Sequence, residues 1–455
     1  MAPSSYHKML QTSEPLSIDP KAIRHHLRAL IRYQYHLHQR DAVRQTHTLI
    51  SEIWQFVELA SQQLQEEKHP QALSVLQAVT DVVTAQWMYL NDLHGEVTAF
   101  FQELVSVWTE ALLRVDLTTK ERQRWAKQVT VWQTRLTSVS IRAAFDAPQA
   151  ALRQGWEYPP LQRILQGESL EQGTWEGEIP PYAQMLIQAR LTVLEQREQV
   201  QEYLYLAKAE KQTRAYVTML VRQGQITEAT SYGYQYLATA EDAFALAKEL
   251  FTHGEGSQGL EMAAHGLTLE GDRVSLAVWL RDHARSMGKL ELALEAGEIA
   301  FRGKPTLEQY LHVAHIAGTH WSLYRSRLLD YARHAPFTAD PKGLLRIFLH
   351  EYLFEDAIAV VEAEKNYALV AQVVDAALKE QTALEWVIGA CRHQAEHIMN
   401  GAKAAYYQAA ANWLTKARTA YHLVGRDEAW HAYLGDLLEQ HKHKSKLLPL
   451  LRALR

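Results

Sequence analysis

The chain carries a single cysteine, Cys391, in 455 residues. One thiol excludes an intrachain disulfide and any multi-cysteine zinc site, and such thrift fits a reducing compartment, so a cytoplasmic location is the expectation. Glycine and proline are scarce as well, at 21 and 13. The long Ala-, Leu-, Gln- and Glu-rich stretches between these breakers point to helices rather than to many short strands. No apolar run approaches the ~20 residues of a membrane-spanning helix. The opening MAPSSYHKMLQTSEPLSIDP lacks the hydrophobic segment of a secretory signal, so neither export by that route nor membrane insertion is expected. A net charge of −5 supplies no global field that would select nucleic acid or an anionic membrane. There is no G-x-x-x-x-G-K-[ST] loop, no G-x-G-x-x-G turn after a strand and no G-x-S-x-G elbow. Nucleotide chemistry and serine hydrolysis therefore have no visible machinery, and no cofactor is implied.

What is present is apolar material along the whole length. Hydrophobic residues make up 47% of the chain against 22% charged, enough to bury core throughout. At this length that means two or three domains or a repeat array. Residues 1–20 read as a flexible lead-in, with a helix cap near Asp19 and Pro20 in the first turn. The helix that follows sets Ile23, Leu27, Leu30, Ile31 and Leu37 on one face and Lys21, Arg24, Arg28 and Arg32 on another. Further helices run through WQFVELASQQLQ, PQALSVLQAVTDVV, VTAFFQELVSVWTEALLRV and ERQRWAKQVTVWQTRL. Residues 21–145 thus form an N-terminal, bundle-like helical region. From 146 to 182, Pro148, Pro159, Pro160 and Pro180 crowd together with Gly155, Gly167, Gly173 and Gly177. This stretch is either a linker at a domain boundary or a loop packed down by Trp156, Tyr158 and Trp175.

From 183 to 440 one unit recurs: a helix, a turn marked by Gly, and a second helix with a small residue five positions on. LVRQGQITEATSYG supplies Gly224 and Ala229, LFTHGEGSQGLEMA supplies Gly254 and Gly259, and ARSMGKLELALEAG supplies Gly288 and Ala293. FLHEYLFEDAIAVV keeps Ala357 but has Tyr352 in the glycine's place. Gly224, Gly254, Gly288 and Gly318 are spaced by 30, 34 and 30 residues, the period of tetratricopeptide-like arrays. The turn needs a residue tolerant of positive φ, and the second helix needs a small side chain where it crosses the first. The expected fold is therefore all-α, an α-solenoid of tetratricopeptide-like repeats. A last pair with Gly425 and Ala429 caps it, and a basic C-terminal tail, 441–455, follows.

The strings EYLYLAKAEKQTRAYVTMLVRQGQITEA, MAAHGLTLEG, LAVWLRDHA, GKLELALEAGEIAF and CRHQAEHIMNGAKAAYYQAAANWLTKARTAY resemble the helical region that follows the zinc finger in bacterial SWIM zinc-finger proteins. LISEIWQFVELASQQLQ and YLNDLHGEV are similar to the more variable front of that region. The family's Cys-x-Cys and Cys-x-His pairs cannot be built from one cysteine. The resemblance thus implies the helical scaffold alone and transfers no functional residue; the finger would have to come from another chain.

Among the residues that could carry chemistry, His393-Gln394-Ala395-Glu396-His397 matches the H-x-x-E-H spacing that sets two imidazoles on one helical face for zinc. A zinc hydrolase there would also need a third ligand and an open coordination position; Glu428 or Glu439 could be proposed, but nothing in the sequence marks either one. With 22 histidines in the chain, coincidence explains the pair more simply. Cys391, two residues upstream, reads as an inert buried thiol rather than a reactive one. The twelve tryptophans, among them Trp54, Trp87, Trp108, Trp125, Trp132, Trp279, Trp321, Trp386, Trp413 and Trp430, sit mostly at core spacing; an aromatic ligand box is the rival reading. Lys21, Arg24, Arg28 and Arg32, with Lys442, Lys444, Lys446, Arg452 and Arg455 of the tail, are the candidate nucleic-acid or anion contacts, set against the plainer reading of solvated faces. The expected function is a non-catalytic scaffold that binds a partner protein on its repeat surface, as part of a larger assembly. Nucleic-acid binding is the alternative, a metal hydrolase the remote one, and the oligomeric state is open.

Overall fold

A computed structural model describes residues 18–36, 42–86, 95–138, 141, 143–170, 172–336, 338–364, 366–401 and 403–455, the side chains of 33–36 and 42–47 excepted. Leu37, Trp87, most of the YLNDLHGEV turn and the lead-in up to residue 17 lie outside the described residues. The protein is all-α. Among the described residues there is no strand, only an isolated bridge between Thr239 and Glu270. Two compact units meet in sequence at Ala229 and Thr230.

The first unit holds α1 (Pro20–His36), α2 (Ala42–Gln65), α3 (His69–Ala85), α4 (Glu96–Arg114) and α5 (Thr119–Thr137). It continues with α6 (Asp146–Gln154), α7 (Pro159–Leu165), α8 (Ala183–Gln196), α9 (Val200–Ala209) and α10 (Thr213–Arg222). Helix α1 starts where its sequence says it should: Asp19 accepts from the backbone N–H of Lys21 at 3.2 Å and of Ala22 at 3.3 Å, and Pro20 occupies the first position. Its apolar face, Ile23, Leu27, Leu30 and Ile31, is buried. In the middle of the unit Trp108 and Trp132 are fully buried, with ring centroids 5.1 Å apart. Both indole N–H groups are satisfied from α3. Thr80 Oγ1 takes Trp108 at 2.8 Å, and Asp81 Oδ1 takes Trp132 at 2.8 Å.

The Pro/Gly-rich stretch lies inside this unit and is packed. Trp156 donates to the Leu113 carbonyl at 2.8 Å, Trp175 donates to Glu210 Oε2 at 3.0 Å, and Arg122 grips Glu157 with both guanidinium N–H groups at 2.8 and 3.0 Å. Beneath it Arg190 is fully buried. Its Nη2 donates to Gln154 Oε1 at 2.8 Å, while Nε and Nη1 meet no acceptor among the described residues. Desolvation pulls this guanidinium down to about 10, with the carboxylate of Glu210 opposing the shift.

Helix α11 (Ile226–Tyr236) spans the divide. The second unit is an α-solenoid of six helix pairs: α12 (Ala240–Thr252) with α13 (Gly256–Gly266), α14 (Arg273–Ser286) with α15 (Leu290–Gly303), and α16 (Leu307–Ala317) with α17 (Trp321–Arg333). Then come α18 (Pro341–His350) with α19 (Phe354–Glu364), α20 (Tyr367–Lys379) with α21 (Leu384–Asn400), and α22 (Tyr407–Leu423) with α23 (Asp427–Gln440). A short α24 (Leu448–Arg452) follows.

One turn serves most of these pairs. Gly254 takes φ +88°, and the next N–H, that of Glu255, reaches back to the Leu250 carbonyl at 2.9 Å, closing the α-helix with a Schellman bond. Gly224, Gly288 and Gly425 repeat it, and so do Glu67, Glu198, Lys211, Tyr352 and Gln381, each at φ between +50° and +59°. Gly318 departs from the pattern. At φ +50° and ψ −117° it leads straight into a 3-10 turn and α17 without that bond. The small residue five positions later proves necessary at Gly259, where an added Cβ would lie 2.9 Å from the carbonyl oxygen of Ala247 on the crossing helix. Gly254 to Gly259 also spells G-x-G-x-x-G, but it joins two helices, with no strand before it.

Residues 441–455 do not hang free as a tail. Leu447, Leu451 and Leu454 are buried, Trp430 donates to the Leu454 carbonyl at 3.4 Å, and Lys444 donates to the Met399 carbonyl at 2.7 Å. The leucines between the basic residues have the spacing of a packed turn and a half, which outweighs the charge of the segment.

Candidate partner-binding face

The H-x-x-E-H string lies on α21 with His393 and His397 both exposed. Its glutamate is already engaged: Glu396 accepts the Tyr433 hydroxyl at 2.7 Å and lies 3.8 Å from Arg392. Glu439, one of the two imagined third ligands, pairs with Lys442 at 2.6 Å. Among the described residues no three His, Cys, Asp or Glu side chains gather where they could hold a metal ion. Cys391 is fully buried on the other side of the helix, and burial pushes its thiol up to about 12, far from thiolate chemistry at neutral pH.

The basic candidates divide between the two units. Arg24 is held inside the first unit by Asp81 Oδ2 at 2.9 Å, whereas Lys21, Arg28 and Arg32 are exposed along α1. In the second unit Lys442 is paired with Glu439 and Lys444 is spent on the Met399 carbonyl, while Lys446, Arg452 and Arg455 are exposed around the short α24.

A denser grouping stands on the first helices of two consecutive pairs. Phe244, Lys248 and Phe251 follow helical spacing on α12, and Trp279 and His283 lie one turn apart on α14. Trp279 stacks on His283 with centroids 4.2 Å apart and planes 25° from parallel. Phe251 meets the edges of both, at 5.6 and 4.5 Å, and Phe244 abuts Trp279 at 5.8 Å. The Lys248 ammonium lies 4.2 Å over the Phe244 ring. The four rings are half-buried, unlike Trp108, Trp132 and Trp430, which are sealed in cores. His283 Nδ1 is tied to the Trp279 carbonyl at 2.8 Å, which fixes the stack before any partner arrives. Met287, 42% exposed, extends the apolar patch at the end of α14. Such a surface suits a ligand with an apolar side chain for the rings and an anionic group for Lys248.

Core-like spacing hid this face in the sequence. Trp279 has the same apolar neighbours as the buried tryptophans, and only its phase relative to Leu276, Ala277 and Leu280, all fully buried, could have turned it outward.

No protein-family model matches the chain, and no curated protein does. Among solved structures, the tetratricopeptide (TPR) domain of P58(IPK) is 14% identical, with 89% of this chain and 97% of that one covered, at a TM-score of 0.20. A circular tandem repeat protein with novel repeat topology and enhanced subunit contact surfaces is 13% identical, covering 96% of this chain and 95% of that one, at a TM-score of 0.21. The fold stands on this chain's own helix pairs.

Proposed function

We propose that the protein is a non-catalytic helical-repeat scaffold that holds a peptide segment of a partner protein, as one subunit of a larger assembly. The observation that carries this reading is the half-buried stack of Phe244, Phe251, Trp279 and His283 under Lys248. Repeat arrays leave one row of helices uncovered by their neighbours, and aromatic anchors on such a row are where binding energy concentrates. The partner segment is one that sets an apolar side chain beside an acidic one. We keep within this proposal the relation to the helical region of SWIM zinc-finger proteins, with the finger supplied by a separate chain. Among the described residues no helix is long and apolar enough to cross a membrane.

The test is affinity purification of the tagged protein from its host, with and without nuclease, beside Trp279→Ala and Lys248→Glu. A discrete protein that survives nuclease and is lost from both variants, whose circular dichroism and melting match the parent, supports the reading. Recovery of nucleic acid alone, or a partner indifferent to both substitutions, overturns it.

A further inference from the structure

In the first unit the short loop after α7 stands across from α9 and α10, and the space between them is a groove of about 580 Å³. Small-molecule sites run from roughly 300 to 1,000 Å³. The floor is apolar, made of Leu204, Leu220 and Tyr216, all buried. The wall is Tyr205, 41% exposed, with Gly167 against its ring: at φ +92° an added Cβ would sit 3.3 Å from Tyr205 Cζ. The loop is braced from behind. Arg163 pairs with Glu168 at 2.7 Å, and Glu210 takes both the Thr174 N–H at 2.6 Å and the Trp175 indole at 3.0 Å. The groove is therefore preformed, and a ligand would bind without ordering it first.

The rim is electrically unbalanced. Of its two carboxylates, Glu168 is neutralised by Arg163, while Glu228 accepts the neutral Tyr216 hydroxyl at 2.8 Å and keeps its charge. Among the described residues neither of its two ammonium groups is in an ion pair. Lys208 lies 5.5 Å from the centroid of the Tyr216 ring, Lys211 is exposed at φ +55°, and neither has a carboxylate partner among the described residues. Two ammonium groups outside any ion pair, against the one charged carboxylate of Glu228, leave the rim net positive above an aromatic and leucine floor, and this selects one kind of guest. We infer that this groove binds a small molecule with a flat apolar body and one carboxylate, phosphate or sulfonate group. The inference goes beyond the scaffold reading and uses none of the residues of the aromatic face.

The experiment titrates the full chain with 8-anilinonaphthalene-1-sulfonate, which has such a body and charge, and with its uncharged relative N-phenyl-1-naphthylamine. Fluorescence reads both. The parent protein is expected to take one equivalent of the sulfonate, less tightly as salt rises. Lys208→Gln/Lys211→Gln should weaken the sulfonate by about tenfold or more, the loss expected when charge-assisted contacts are removed, and leave the neutral dye within about twofold. Tyr205→Ala should weaken both. Sulfonate affinity unchanged in the double lysine variant, absence of sulfonate binding, or binding abolished instead by Trp279→Ala in the other unit would each overturn the inference. Melting curves matching the parent separate loss of the site from loss of the fold.

Discussion

Trp132 and Asp81 meet through a 2.8 Å hydrogen bond from the indole N–H to Oδ1, while the other oxygen of the same carboxylate takes Arg24 at 2.9 Å. One aspartate thus joins three helices, α1, α3 and α5. Asp81→Ala strands the indole donor in the core and leaves Arg24 without its partner. The expected cost is about 1–3 kcal/mol for the buried donor, with little added by the partly exposed ion pair. Asp81→Asn keeps an acceptor for Trp132 and should lose less than half as much. Urea unfolding followed by tryptophan emission reads the difference, and equal midpoints for parent and Asp81→Ala would count against the assignment.

Arg190 offers the opposite case. Its guanidinium is buried with two nitrogens unmet, so it bears a desolvation cost that few bonds offset. Replacing a poorly paired buried ion by an apolar side chain of like volume is often neutral or stabilising, by about 1–4 kcal/mol. Arg190→Met is expected to leave the melting temperature unchanged or to raise it. A fall of several degrees would mean that the Gln154 contact and the field of Glu210 outweigh the desolvation.

One turn position and one helix-crossing position predict effects of opposite sign. Gly259→Ala forces a Cβ to 2.9 Å from the Ala247 carbonyl, backbone that cannot step aside, and overpacking of this kind costs about 1–3 kcal/mol. Tyr352→Gly relieves a side chain held at φ +58° while 66% exposed, so it loses little contact. Since the left-handed region costs an L-residue about 1–2 kcal/mol, a net gain of about 0.5–1 kcal/mol is expected. Chemical denaturation of each variant checks the signs.

His441 gives the second unit an acid-sensitive point. Its side chain is buried, and desolvation together with Lys444 holds its imidazole below the ordinary value of 6.5, against a smaller pull from Glu396. The unfolded chain therefore binds the proton more readily. The neutral ring's contribution is full above pH 6.5 and is lost as pH falls through that value toward the lower folded one. The stability difference between parent and His441→Gln should be flat above pH 7 and shift against the parent from pH 6.5 to 5. A difference constant across that range would show that the ring does not titrate with unfolding.

Much of the architecture was written in local signals. The cap at Asp19, the buried face of α1 and the glycine turns at 224, 254, 288 and 425 depend on neighbours in sequence, and these were legible. The turn at Tyr352 was legible only by its likeness to the glycine-bearing units, and four others were not, because Glu67, Glu198, Lys211 and Gln381 occupy the left-handed position without being glycine. The packed state of residues 441–455 was equally hidden, since the partner of Lys444 is a carbonyl 45 positions away. The aromatic face depends on which side of α14 its neighbours leave uncovered, and the groove beside Tyr205 depends on where a glycine-bearing loop comes to rest. Both are facts of tertiary packing that no single helix encodes.

The turns that dispense with glycine set how the molecule can change over generations. At each of them the helix ends through its backbone, by a bond from one N–H to a carbonyl five residues back, and the side chain only modulates the cost. A glutamate, a lysine, a tyrosine or a glutamine already fills the place. Such positions accept several residue types at a modest cost, so two chains could share every helix pair while sharing few turn residues.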